Sequence, residues 1–95
     1  MIYCLDIDTN EGDIFLFYKT KKEAVEKLLN KYKNYFAFIH QLKNKDDPLL
    51  DENLIAVYKD GQALKIEKKE IEGTVYAFFD GMNDYKQLTL FDNYD

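Results

Sequence analysis

Two short strand-like runs meet at Asp60-Gly61, and no other feature of the chain restricts its fold as tightly. Leu54 to Lys59 precede the dipeptide and Gln62 to Glu67 follow it. Asp-Gly is a preferred centre for a two-residue type I′ turn, which needs positive φ at both positions. Pairing across that turn sets Val57 opposite Leu64 and Ile55 opposite Ile66 on one face. Ala56 opposite Lys65 and Leu54 opposite Glu67 then fall on the other. Turn chemistry and burial pattern agree, so an antiparallel pair here is dictated twice over.

A second hairpin opens the chain. Ile2 to Asp8 and Asp13 to Tyr18 are rich in strand-forming residues, and Thr9-Asn10-Glu11-Gly12 lies between them. With Glu11-Gly12 as the turn residues, Ile7 faces Leu16 and Leu5 faces Tyr18. Tyr3, Leu5, Ile7, Ile14 and Leu16 share one face, while Cys4, Asp6, Asp8, Phe15 and Phe17 share the other. The second of these strands is apolar on both sides, which predicts a central place in the sheet.

Thr20 with Glu23 three residues on reads as a capping box that starts a helix. Val25, Leu28, Leu29, Tyr32, Phe36 and Ile39 recur at helical spacing, so the pattern predicts a helix running to about Leu42. It stops in Lys43-Asn44-Lys45-Asp46-Asp47-Pro48, where lysines suit a helix C-terminus and the residue before proline disfavours helix. His40, one position past the apolar stripe, reads as a surface or boundary residue. After a charged stretch at 68–72, Gly73 opens the strand-like run Thr74-Val75-Tyr76-Ala77-Phe78-Phe79, which Asp80-Gly81 breaks. The expected fold is α+β: an antiparallel sheet of four to six strands, in the element order β-β-α-β-β-β, packed on one long helix. Residues 1–84 form the single domain and 85–95 a C-terminal strand or peptide tail.

Composition narrows the function. At 95 residues and 16% aromatic, the chain has one core and the apolar content to build it. No apolar run approaches the ~20 residues that span a bilayer. The start, Ile2-Tyr3-Cys4-Leu5, lacks the basic region and cleavage site of a signal peptide, and one cysteine cannot form an internal disulfide. A cytoplasmic protein with no membrane association is expected. The net charge is −5 and all 13 basic residues are lysine. Without arginine there is no planar fork to read guanine or clamp phosphate, so direct sequence-specific nucleic-acid binding is not expected. Eight lysines between Lys19 and Lys45 face only Glu23 and Glu26, and the rest of the chain is correspondingly acidic.

Candidate chemistry is sparse. Asp6 and Asp8 are two apart on a strand, so both carboxylates project from one face, as metal or acid–base pairs do. The more economical reading is a solvated strand edge, with no metal. In Asp8-Thr9-Asn10-Glu11-Gly12-Asp13 the glycine falls one position early for a calcium loop and no closing glutamate follows, so the segment is a turn. No phosphate cradle, nucleophile elbow or Cys/His metal spacing is present, and neither an enzyme activity nor a cofactor is expected.

What remains is Gln87-Leu88-Thr89-Leu90-Phe91. This run resembles the bacterial sliding-clamp-binding motif, Gln-Leu-(Ser or Asp)-Leu-Phe, over five residues of the chain. The resemblance implies an extended peptide in a pocket of the DNA polymerase processivity clamp (the polymerase III β subunit). Gln87 would take the polar subsite, Leu88 the wall between subsites, and Leu90 with Phe91 the deep apolar pocket. Thr89 departs from the commonest residue but keeps the hydroxyl of serine. The same segment alternates Tyr85, Gln87, Thr89 and Phe91 with Lys86, Leu88 and Leu90, a pattern that also suits a terminal strand. The expected function is a non-enzymatic protein-interaction module whose partner is the sliding clamp or another host protein. The alternative is a small acidic phage or mobile-element protein that inhibits a host nucleic-acid-binding or defence protein, in the manner of an anti-CRISPR-like or DNA-mimic inhibitor; eight tyrosines suit an interface. The oligomeric state is left open.

Overall fold

The structure, a computed structural model, describes residues 1–81. In chain order the elements are β1 (Ile2–Thr9), β2 (Gly12–Tyr18), α1 (Lys21–Lys31), β3 (Phe36–Leu42), a 3₁₀ turn (Asp51–Asn53), β4 (Leu54–Lys59), β5 (Gln62–Leu64), β6 (Ile66–Ile71) and β7 (Thr74–Phe79). Strands β2-β1-β3-β4-β5 form one antiparallel sheet and β6-β7 a second, two-stranded one. The α+β class holds, but the strands divide between two sheets.

The helix is short. Thr20 caps it as expected: its Oγ1 accepts from the Glu23 N–H at 3.2 Å and donates to Glu23 Oε1 at 3.0 Å. It ends at Lys31, about 16 Å long at 1.5 Å per residue rather than ~30 Å. Phe36 to Leu42, expected as its continuation, is instead β3. Tyr32, Phe36 and Ile39 fit a helical stripe, but Phe36-Ala37-Phe38-Ile39 is also a continuous apolar run, rich in strand formers, that suits a strand covered on both faces. The open edge of β1 decides between the two, taking β3 as a partner from Ile2↔Leu42 to Asp8↔Phe36.

Register differs from expectation at three places. The first hairpin turns at Asn10-Glu11, so Ile7 faces Ile14 and Leu5 faces Leu16. Thr9 closes that turn: its hydroxyl accepts from the Glu11 N–H and donates to the Gly12 carbonyl. This two-residue slip preserves alternation, so the expected faces survive. The Asp60-Gly61 turn is as expected, with φ of 52° and 78° and Val57 opposite Leu64. The pair ends at Leu64, however, and Ile66 leaves for the second sheet, so Ile55 has no partner there. β4 carries a bulge at Ile55: Ile39 pairs with Ala56, and His40 with Leu54. The extra residue turns Leu54 to the same side as Val57, where strict alternation would oppose them.

Charged residues 68–70 were expected as a connection but belong to β6, recruited by a second positive-φ turn at Glu72-Gly73 and by the strand-forming 74–79 run. The two sides of the five-stranded sheet then carry separate cores. Leu5, Ile7, Ala24, Leu28, Ala37, Ile39 and Ala56 pack beneath α1. Leu54, Val57 and Ala77 join the two sheets, with Phe36, Phe38 and Phe79 rings 5.4 to 5.8 Å apart around them. No helix among the described residues is long and apolar enough to cross a membrane.

β2 is not central. It is the edge of its sheet, paired only with β1 among the described residues, yet it keeps a central strand's apolar composition.

Candidate functional site

Gln87, Leu88, Leu90 and Phe91, the residues of the clamp-type motif, lie outside the described residues, as does the strand-or-tail alternative for 85–91. The described part of the chain contributes two polar constellations on the sheet face opposite α1.

The first is acidic. β1 places Asp6 and Asp8 on one face, and the register brings Asp13 of β2 directly opposite Asp8. One carboxylate oxygen from each of Asp6, Asp8 and Asp13 lies within 4.8 Å of the others. Asp13 was missed in the sequence because its membership depends on the hairpin register, which slipped by two. Nor is this a solvated edge: β1 is interior to the sheet, and Asp6 sits between Phe15 and Phe38 in its neighbouring strands. Asp6 Oδ1 is buried with no hydrogen-bond partner. Burial, the nearby Asp13 and Asp8 charges, and a hydrogen bond shared with the Asp13 carboxyl push Asp6 up to about 7. Two carboxyls can share a hydrogen bond only if one carries the proton, so near neutrality the trio holds fewer than three charges. Three oxygens at this spacing could ligate a hard divalent cation after losing that proton. Cys4, next along the same face, is buried and its thiol is pushed up to about 11, mainly by burial, which makes it a poor nucleophile.

The second constellation is structural. His40 is buried at 7% exposure, not on the surface as its sequence position suggested. Its Nδ1 lies 2.6 Å from Asn53 Oδ1. Asn53 also accepts from the Leu50 N–H and donates to the Pro48 carbonyl, which fastens the 48–53 segment over β3. The 3₁₀ turn in turn holds the second sheet: Asp51 Oδ2 accepts from the Ala77 N–H at 2.9 Å and Lys68 Nζ donates to the Glu52 carbonyl at 2.8 Å. A groove of about 370 Å³ between 49–52 and 73–76 is lined by Asp51 and Glu52, but Asp51 already serves Ala77.

The aromatic residues of β2 complete the surface. Phe15 is 48% exposed and Phe17 37%, and Lys45 Nζ stands 5.3 Å over the Phe17 ring. No protein family, curated protein or solved structure matches the chain.

Proposed function

We propose that this chain is a non-enzymatic protein-interaction module that binds the bacterial DNA sliding clamp through Gln87, Leu88, Leu90 and Phe91. The observation that carries the reading is the Gln-Leu-Thr-Leu-Phe run itself. Among the described residues, the two core clusters draw their members from Tyr3 to Phe79. Two polar groups of this folded part are engaged in holding the fold: His40 by Asn53, and Asp51 by the Ala77 amide. In this reading the folded body serves as a carrier for a peptide anchor. Leu90 and Phe91 would each gain about 1.5–3 kcal/mol on full burial in a partner's pocket, partly offset by ordering the peptide.

The inhibitor reading, a small acidic phage or mobile-element protein that occupies a host nucleic-acid site, draws on the Asp6, Asp8 and Asp13 patch. It has less support because the proton held at Asp6 reduces the charge such mimicry needs. Titration of purified clamp with the native protein and with a Gln87→Ala, Leu90→Ala, Phe91→Ala variant tests the proposal. Saturable binding that falls at least about a hundredfold in the variant supports it. Equal binding by both proteins, or binding by neither, overturns it.

A further inference from the structure

The β2 edge has the composition of a strand that is covered on both sides, and between Asp13 and Lys19 it lacks the usual protections of an exposed edge. Ile14-Phe15-Leu16-Phe17-Tyr18 contains no proline, no bulge and no charge. Thr9 and Gly12 flank a two-residue loop, so they form a hydrogen-bonded pair, and alternation turns the amides of Ile14, Leu16 and Tyr18 toward β1. The N–H and C=O groups of Asp13, Phe15 and Phe17 therefore point out along the edge that no described strand covers. Phe15 and Phe17 are exposed, on the same face as exposed Asp13.

We infer that β2 is a homodimer interface, at which a second copy of this chain pairs its own β2 antiparallel and joins two five-stranded sheets into one. A twofold axis through Leu16 sets Phe15 opposite Phe17 of the second copy, and Phe17 opposite its Phe15. Both are pairs of outward-facing amides, as an antiparallel ladder requires. The same register puts Asp13 across from Lys19 of the second copy at each end. Shifting the axis to Phe15 sets Asp13 against Phe17, and shifting it to Phe17 sets Phe15 against Lys19. Only the Leu16-centred register pairs aromatic with aromatic and acid with base throughout, each a favourable cross-strand combination. The arrangement is isologous and closes as a dimer without further edges at that site. It stands independently of the clamp reading, although a dimer would present two copies of the 87–91 motif and gain avidity.

Sedimentation equilibrium of the full chain, with register mapping by cysteine cross-linking, tests the inference. Dimer is expected for the native protein and monomer for Phe15→Lys, whose exposed site leaves the cores intact by circular dichroism. Asp13→Lys alone should weaken dimerisation about tenfold through two lost charge pairs, and Asp13→Lys with Lys19→Asp should restore it. On mild oxidation, Leu16→Cys should cross-link to itself, because facing residues at a non-hydrogen-bonded position have Cα atoms about 4.5 Å apart. A mixture of Phe15→Cys and Phe17→Cys should cross-link as a heterodimer. Buried Cys4 does not compete. A native chain that stays monomeric, a dimer indifferent to Phe15→Lys, or self-cross-linking of Phe15→Cys in preference to Leu16→Cys overturns it.

Discussion

His40 Nδ1 and Asn53 Oδ1 lie 2.6 Å apart, joining β3 to the turn that precedes β4. The Asn53 oxygen also accepts from the Leu50 N–H, so it is an acceptor toward the ring and the imidazole donates from Nδ1. Asn53→Ala would leave that buried donor unpaired and free the Pro48–Leu50 backbone. A loss of about 1–3 kcal/mol is expected in urea titrations at pH 8. Asn53→Asp keeps the acceptor and should recover part of the loss.

The same ring gives a pH dependence. Burial lowers the His40 pKa below its ordinary 6.5, against the opposing hydrogen bond to Asn53 and the charge of Asp51; Lys68 lowers it further. The unfolded chain therefore binds the proton first. The contribution of the neutral ring is complete above pH 6.5 and is lost as pH falls from there toward the lowered native value. His40→Gln should remove this acid-side slope from the curve of stability against pH, at some fixed cost in stability.

Asp51 is the link between sheets. Its carboxylate is held by the amide of Ala77, a residue of β7 that is almost fully buried. Asp51→Ala should cost about 1–2 kcal/mol and should act locally. Hydrogen exchange is the measurement: amides of β6 and β7 should lose protection while those of β1 and β3 keep theirs. Uniform loss across both sheets would show that the hairpin does not open on its own.

These relationships differ in how far they could be read from residues alone. Turn chemistry was legible where the dipeptide itself fixes the backbone, as at Asp60-Gly61. Side-chain faces in the first hairpin were legible although its register was not, because a slip of two residues keeps every side chain on its side. The end of α1 was hidden, since Tyr32, Phe36 and Ile39 satisfy a helical period while the apolar run 36–39 equally suits a strand covered on both faces, and only pairing with β1 separates them. β6 was hidden because a hairpin with one solvated face needs few apolar residues. Of the acidic trio, Asp6 and Asp8 were visible from strand alternation, whereas Asp13 depends on a long-range register. The place of β2 was misread for a physical reason: apolarity on both faces signals cover, but not where that cover comes from.

Asp6 supplies a pH effect of the opposite sign to His40. Its carboxyl is pushed from an ordinary 3.8 up to about 7, first by burial and then by Asp13 and Asp8. Below pH 3.8 both folded and unfolded chains hold the proton, and the group costs nothing. Between there and about 7 the unfolded chain ionises while the native one does not, so stability falls as pH rises, with the full penalty present above about 7. Asp6→Asn removes the charge at constant shape. Each pKa unit corresponds to about 1.36 kcal/mol, and a half-buried carboxyl retains only part of that after solvent screening. A gain of about 1–2 kcal/mol at pH 8 is therefore expected, fading toward zero at pH 4. Thermal melts of native and Asp6→Asn protein at both values check it. A variant no more stable than the native chain at pH 8 would show that the Asp6 carboxylate is compensated by a cation, and metal titration of the native protein would then be the next measurement.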